Sequence, residues 1–329
     1  MSLVDEIQRQ VRRALLGPTD LPLTIDASLQ IPQRETSVWL HGMGEPRDVT
    51  SRHSVACISP FLVCIGFERS EFADAAPPAG TRFLLTFCRN TPERELLAEI
   101  WLEFTTQLDE RGRSLGLFRA VSCINFCLSA LRARAHDLFN IHTNRKTRNF
   151  TGQDVSALEM RCNAVAFTCP RPVVLVSAID EGRGNIFPMN LLGTLGDDYL
   201  GFALASSRTA ASFASRVRRL ALSNIPYRQI DVARGLRKNH HQESILWEDL
   251  PFPTRRSTTL HIPVPEFALR VLEVNIEKVR PLGSHTFFLA RIVGEEILSD
   301  DGAFYMINGQ YAAHRQNVAI SIPEPIPAR

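Results

Sequence analysis

Residues 172–179, Pro-Val-Val-Leu-Val-Ser-Ala-Ile, are almost unbroken in β-branched and small side chains, which makes them a strand. Glu181-Gly182-Arg183-Gly184 then reads as a turn, with residues 185–190 as the next strand. Residues 200–205 and 219–224 follow in the same style. Residues 209–217 read as a helix with Ser207 as its N-cap. A loop-rich insertion carries short helical pieces at 231–236 and 243–247, and strands are expected at 257–262, 267–279 and 285–296. The first half is also strand-rich, at 37–41, 62–67, 82–88, 100–106 and 115–124. It begins with an amphipathic helix over 1–16 (Val4, Ile7, Val11 and Leu15 on one stripe) and a proline-containing extended stretch over 17–34. It ends with a helix over 130–139 and a polar, basic linker over 140–149. Many strands and few helices predict a barrel rather than a parallel sheet.

The halves match each other at constant offsets. At 137, Val38-Trp39-Leu40 falls on Leu175-Val176-Ser177, and residues 62–70 fall on 199–207. At 170, residues 101–104 fall on 271–274, Ser114 on Ser284 and Phe118 on Phe288. At 170 Leu115 takes the place of His285; at 137 Arg69-Ser70 takes that of Ser206-Ser207, followed by Glu71 and no Thr. The difference between the offsets places an insertion in the second half, around 231–256. Length suits two domains: an N-terminal segment over 1–34, a degenerate barrel over 35–150 and a second barrel over 151–329.

A net charge of +2, from 37 basic and 35 acidic residues, gives no reason to expect nucleic acid or an anionic membrane surface as a partner. No apolar run approaches the ~20 residues of a membrane span, and the N-terminus has no secretory h-region, so a cytoplasmic location is expected. Seven scattered cysteines, with no Cys-x-x-Cys, read as reduced thiols, with Cys123 and Cys127 as small core residues. His240, His241 and His314 lack spaced acidic or thiol partners, so no metal is expected. His41-Gly-Met-Gly-Glu45 is a turn, since no G-x-G-x-x-G or βαβ unit surrounds it.

The segment from Cys169-Pro-Arg-Pro172 through Asn185 and Pro188 to Asn190 resembles the opening of the flavin-reductase-like family of FMN-binding split β-barrels. Ser206-Ser207-Arg208-Thr209 resembles the family's phosphate turn. Leu282-Gly-Ser-His285 resembles its Gly-x-His strand, and the segment from Phe304 to Tyr311 its closing aromatic-Gly-x-Tyr piece. The resemblance covers residues 155–320. It implies a mainly β protein built as an FMN-binding split β-barrel, here possible as two tandem barrels with the N-terminal one degenerate. It also implies FMN as cofactor, NADH or NADPH as co-substrate, and a homodimer or fused pseudo-dimer, because flavin sites in this family commonly lie between two barrels.

A flavin needs a flat apolar slot, a polar edge and an anion site. Asn185, Met189, Asn190, Leu191, Leu192 and Tyr311 are the candidates for the slot and its edge. Ser206, Ser207, Arg208 and Thr209 are the candidates for the phosphate at a helix N-terminus. Ser212 stands where the family often has Asn, which weakens the phosphate site. His285 is expected beside the flavin or nicotinamide. The reading is an FMN-binding oxidoreductase transferring hydride from NAD(P)H. The alternatives are a non-catalytic flavin-binding or sensing module whose N-terminal half serves interaction, and a barrel that has lost its ligand.

Overall fold

The computed structural model describes residues 23–30, 35–68, 77–110, 113–147, 155–180 and 182–317. The expected helix over 1–16 and the Arg69–Glu71 positions lie outside them. Strand β1 (Thr24–Leu29) comes first. The first half then builds β2 (Thr36–His41), β3 (Arg47–Asp48), β4 (His53–Cys57), β5 (Leu62–Glu68), β6 (Arg82–Arg89), β7 (Leu96–Glu110) and β8 (Arg113–Asn125). These form one antiparallel sheet ordered β3-β2-β6-β7-β8-β5-β4. Helices α1 (Ala130–Thr147) and α2 (Ala157–Ala166) follow, so the helix expected to end at 139 continues through most of the expected linker. Helix α2 starts in a capping box: Ser156 accepts from the Glu159 amide while the Glu159 carboxylate accepts from the Ser156 amide.

After β9 (Arg171–Pro172), the second half builds β10 (Val174–Asp180), β11 (Arg183–Met189), β12 (Leu192–Thr194), β13 (Tyr199–Ala205), helix α3 (Thr209–Val217) and β14 (Arg219–Asn224). Helix α4 (Ile230–Gly235) and the β15 (Thr254–Arg256) and β16 (Pro263–Pro265) pair lie in the insertion. Strands β17 (Arg270–Leu282) and β18 (His285–Ile297) complete a sheet ordered β11-β10-β14-β17-β18-β13-β12. Position by position this is the order of the first sheet, so the chain is two curled half-barrels of one topology. Strand β19 (Ala303–Asn308) runs between β1 and β9, and α5 (Gly309–Asn317) ends the described chain. Among the described residues no helix is long and apolar enough to cross a membrane.

The apolar runs are continuous because the central strands have two buried faces. In β5, Val63, Ile65 and Phe67 enter the first barrel's core, while Leu62 and Cys64 enter a cluster shared by both halves. In β18, Phe288 and Ala290 enter the second core, while Phe287 and Leu289 enter the shared cluster. The period of two along each strand therefore divides each run between barrel core and junction. Leu115, Leu117, Leu195 and Tyr199 join the same cluster, with Ala56, Cys57 and Leu108.

The offset of 137 holds for β5 and β13, whose bounds coincide under it (62 + 137 = 199; 68 + 137 = 205). The offset of 170 is two residues short throughout β7 and β8, so Trp101 answers Glu273 and Phe118 answers Ala290. Glu68 pairs with Arg113 and Ala205 pairs with His285, a shift of 172 (285 − 113). Arg113, not Leu115, thus takes the place of His285. The register breaks of the β7–β8 pair, at Trp101/Leu102 and Phe104/Thr106, recur in the β17–β18 pair at Glu273/Val274 and Ile276/Lys278, so the same shift of 172 runs through both strands.

Candidate functional site

Strand β13 delivers the chain to a turn at 206–208, from which α3 departs. The cap of α3 is Arg208 (φ −103°, ψ 140°), not the expected Ser207; no side chain caps the helix, and its first turn holds no acid. Ser206, Ser207 and Ser212 are exposed, and Arg208 and Thr209 half-buried. Ser206 Oγ lies 3.1 Å from Thr286 Oγ1, which fixes the turn against β18. An uncapped helix start flanked by hydroxyls and a guanidinium suits an anion.

Beside this turn lies a cleft of about 320 Å³, lined among others by Met189, Asn190, Arg208, Arg237 and His240. Arg208 Nε is buried without a partner among the described residues. Burial, and then the charge of Arg237, hold the Arg208 guanidinium below its ordinary pKa. Among the described residues no carboxylate pairs with either arginine, whereas Arg234, in the same wall, is held by Asp26 at 2.8 Å. Asn190 Nδ2 points to the thioether sulfur of Met306 at 2.9 Å, a weak acceptor.

Residues 225–269, between β14 and β17, supply one wall. The first barrel spans the equivalent gap between β6 and β7 with residues 90–95 alone. A 3₁₀ turn, Leu236–His241, packs along the free edge of β11. Asn239 Nδ2 donates to Ile186 O at 2.8 Å, and His240 Nε2 lies 2.8 Å from Pro188 O. The edge strand is thereby covered and its carbonyls satisfied.

The expected site residues divide in two. Met189, Asn190 and Arg208 line one cleft, with Ser206, Ser207 and Thr209 in the adjacent turn. Asn185 does not face the cleft: it is fully buried and donates to Asn239 O and Gln242 O at 2.9 and 2.8 Å, anchoring the insertion. Leu191 packs into the first barrel's core and Leu192 into the second's, because the chain there passes between two hydrophobic interiors. Tyr311, fully buried on α5, donates to Glu35 Oε1 at 2.7 Å; Arg315 pairs with the same carboxylate at 2.7 Å.

His285 is buried beside the junction, and its Nδ1 lies 2.8 Å from Ser284 Oγ. That oxygen also accepts from the Ser59 amide at 2.9 Å and lies 3.5 Å from Cys57 Sγ, so Ser284 ties the His285 ring to the first barrel. Burial, and then Arg208, depress the His285 pKa to about 4.

Sequence reasoning missed Arg237 and His240. The one available signal was a basic cluster in the insertion (Arg234, Arg237, Lys238, His240 and His241), which composition alone does not aim at a cleft.

Residues 166–315 match the sequence model of the family described as flavin reductase like domain. Partial likenesses to solved structures accompany this match. The FMN-binding protein from Thermus thermophilus with bound p-hydroxybenzaldehyde is 22% identical over 39% of this chain and 72% of that one, with a TM-score of 0.35. An NADH:FAD oxidoreductase of Streptomyces globisporus is 16% identical over 46% and 88%, at 0.40. The styrene monooxygenase flavin reductase of Pseudomonas putida S12 is 16% identical over 41% and 86%, at 0.35. No curated protein matches the sequence significantly. Residues 166–315 are thus a flavin reductase-like domain, joined to a first half that repeats its strand order.

Proposed function

We propose that the chain is an FMN-binding oxidoreductase that takes reducing equivalents from NADH or NADPH, with one FMN per chain held by the second barrel. The observation that carries this reading is the cleft itself: apolar Met189 and polar Asn190 lie beside an uncapped helix start and two guanidiniums that no carboxylate among the described residues satisfies. Arg208, with the hydroxyls of Ser206, Ser207 and Thr209, binds the phosphate in a charge-assisted geometry. Met189 offers a soft apolar contact for a ring, and Asn190 can exchange its weak Met306 contact for a polar ligand edge. His285, kept neutral by burial and by the charge of Arg208, offers an uncharged imidazole near the ligands. The flavin, when bound, supplies the hydride chemistry, and no side chain need act as acid or base. The first barrel acts as a fused partner and carries no flavin.

Absorbance of freshly purified protein tests this. Visible flavin bands at one equivalent per chain, bleached by NADH or NADPH, are expected. Bands that resist both nicotinamides favour a binding module. Absence of bands, with no uptake of added FMN, overturns the reading.

A further inference from the structure

We infer that His240, on the insertion, reads a hydroxyl of the phosphate-bearing ligand in this cleft, accepting a hydrogen bond at Nδ1 from the sugar-alcohol chain next to the phosphate. The inference rests on the flavin reading and adds a ligand contact to it.

The first step is the tautomer. His240 Nε2 lies 2.8 Å from the carbonyl oxygen of Pro188. A carbonyl can only accept, so Nε2 carries the proton and Nδ1 of the neutral ring is a bare lone pair. The Pro188 bond and the Phe187 ring, with centroids 4.9 Å apart, hold the imidazole in place.

The second step is the state of that lone pair. His240 is only 8% exposed, and Nδ1 is buried with no partner among the described residues. Buried acceptors are nearly always satisfied, so an orphan on a cleft wall marks a place where a ligand atom or water completes the bond. The ring does not resolve this by taking up a proton, because burial and the nearby Arg208 keep its pKa at about 4.

The third step is what else lines the cleft. Among the described residues, Arg208 and Arg237 lie on its wall without carboxylate partners, and Arg208 Nε is itself a buried donor without an acceptor. Residues with donors that want an anion, and one with an acceptor that wants an O–H or N–H, thus line the same cleft of about 320 Å³. A phosphorylated polyol chain such as that of FMN presents both, with hydroxyls a few bonds from the phosphate. The first barrel has no counterpart of His240, because the insertion occurs only in the second. The insertion thereby gives one copy of a repeated fold a ligand contact that the other lacks.

The test uses full-length protein labelled with ¹⁵N-histidine. Added FMN should shift the His240 Nδ1 resonance in the direction of hydrogen-bond acceptance and leave the Nε2 resonance in place. In fluorescence titrations His240→Phe should weaken FMN roughly two- to tenfold, the value of one neutral hydrogen bond. His240→Asn, which can donate to Pro188 O and still present an acceptor, should recover part of that loss. FMN binding with an unmoved Nδ1 resonance overturns this inference and leaves the flavin reading standing. An Nδ1 resonance already displaced in the free protein, and unchanged by FMN, assigns the lone pair to bound water, with the same consequence. Equal affinities for His240→Phe and the native protein also overturn it. Failure of the native protein to bind FMN at all removes both readings.

Discussion

The Ser59 amide of the first barrel donates to Ser284 Oγ of the second at 2.9 Å, and the Ser284 amide returns a bond to Ser59 O at 2.7 Å. This reciprocal pair joins the turn before β5 to the start of β18, and Ser284 passes the constraint on to His285. Ser284→Ala leaves the Ser59 amide without its acceptor. Stability should fall by about 1–3 kcal/mol, as for a buried donor left unpaired. A urea midpoint that drops with an unchanged slope would show it; an unmoved midpoint would mean that water replaces the hydroxyl.

Arg208→Ala removes a charge-assisted contact worth on the order of 1.5–3 kcal/mol. FMN affinity should fall roughly tenfold or more, while riboflavin, which has no phosphate, should be nearly unaffected. Equal losses for the two ligands would show that the phosphate lies elsewhere.

His285→Asn should slow reduction of bound FMN by NADH more than it weakens FMN. Stopped-flow absorbance would separate the two effects. Because His285 is buried, its melting temperature must be read alongside. A variant that melts early but reduces FMN at the native rate assigns the ring to packing alone.

Three buried imidazoles make the fold acid-sensitive. Burial is the largest cause in each, holding His53 at about 3 and His240 and His285 at about 4. An unfolded histidine titrates near 6.5. Below about that pH the unfolded chain takes up protons that the folded chain refuses. Stability is therefore full above 6.5 and falls as the pH drops toward 4, by about 1.4 kcal/mol per pH unit for each ring at the steepest. Urea midpoints at neutral and mildly acid pH test this, and a midpoint that stays constant or rises on acidification contradicts it.

Gly283 has φ +68°, and a Cβ there would sit 2.3 Å from Ser59 O. Gly283→Ala meets a backbone atom that cannot rotate away, in a conformation that L-residues avoid. A loss of about 1–3 kcal/mol or more is expected. A thermal melt matching the native one would show that the junction opens freely at this point.

Several elements were legible because local rules and tertiary structure agree. Helix α3 and strand β14 occur at the expected bounds, 209–217 and 219–224: the helix shows a single buried apolar stripe, and the strand is a short apolar run buried on both faces. Residues 257–262 were misread as a strand because Ser257, Thr258 and Thr259 have strand-like side chains. They form a loop around the Glu273 carboxylate, which accepts from Ser257 Oγ at 2.6 Å and from the Thr259 amide at 2.8 Å. Leu191 and Leu192 looked suited to a ring because they are apolar, but apolarity does not say which of three interiors claims a side chain. The tautomer of His240 was beyond any sequence pattern, since a carbonyl 52 residues away sets it.

Two barrels on one polypeptide have a consequence for how the junction assembles. In a pair of separate subunits the mating of the two faces would be a bimolecular event, weakened by dilution, and every substitution would appear on both sides at once. Here Leu62 and Cys64 meet Phe287 and Leu289 within one molecule. Closure is set by the tether, so it does not depend on protein concentration. Each face is also free to change alone, which is how one copy can span the gap after its third long strand with residues 90–95 while the other fills it with residues 225–269.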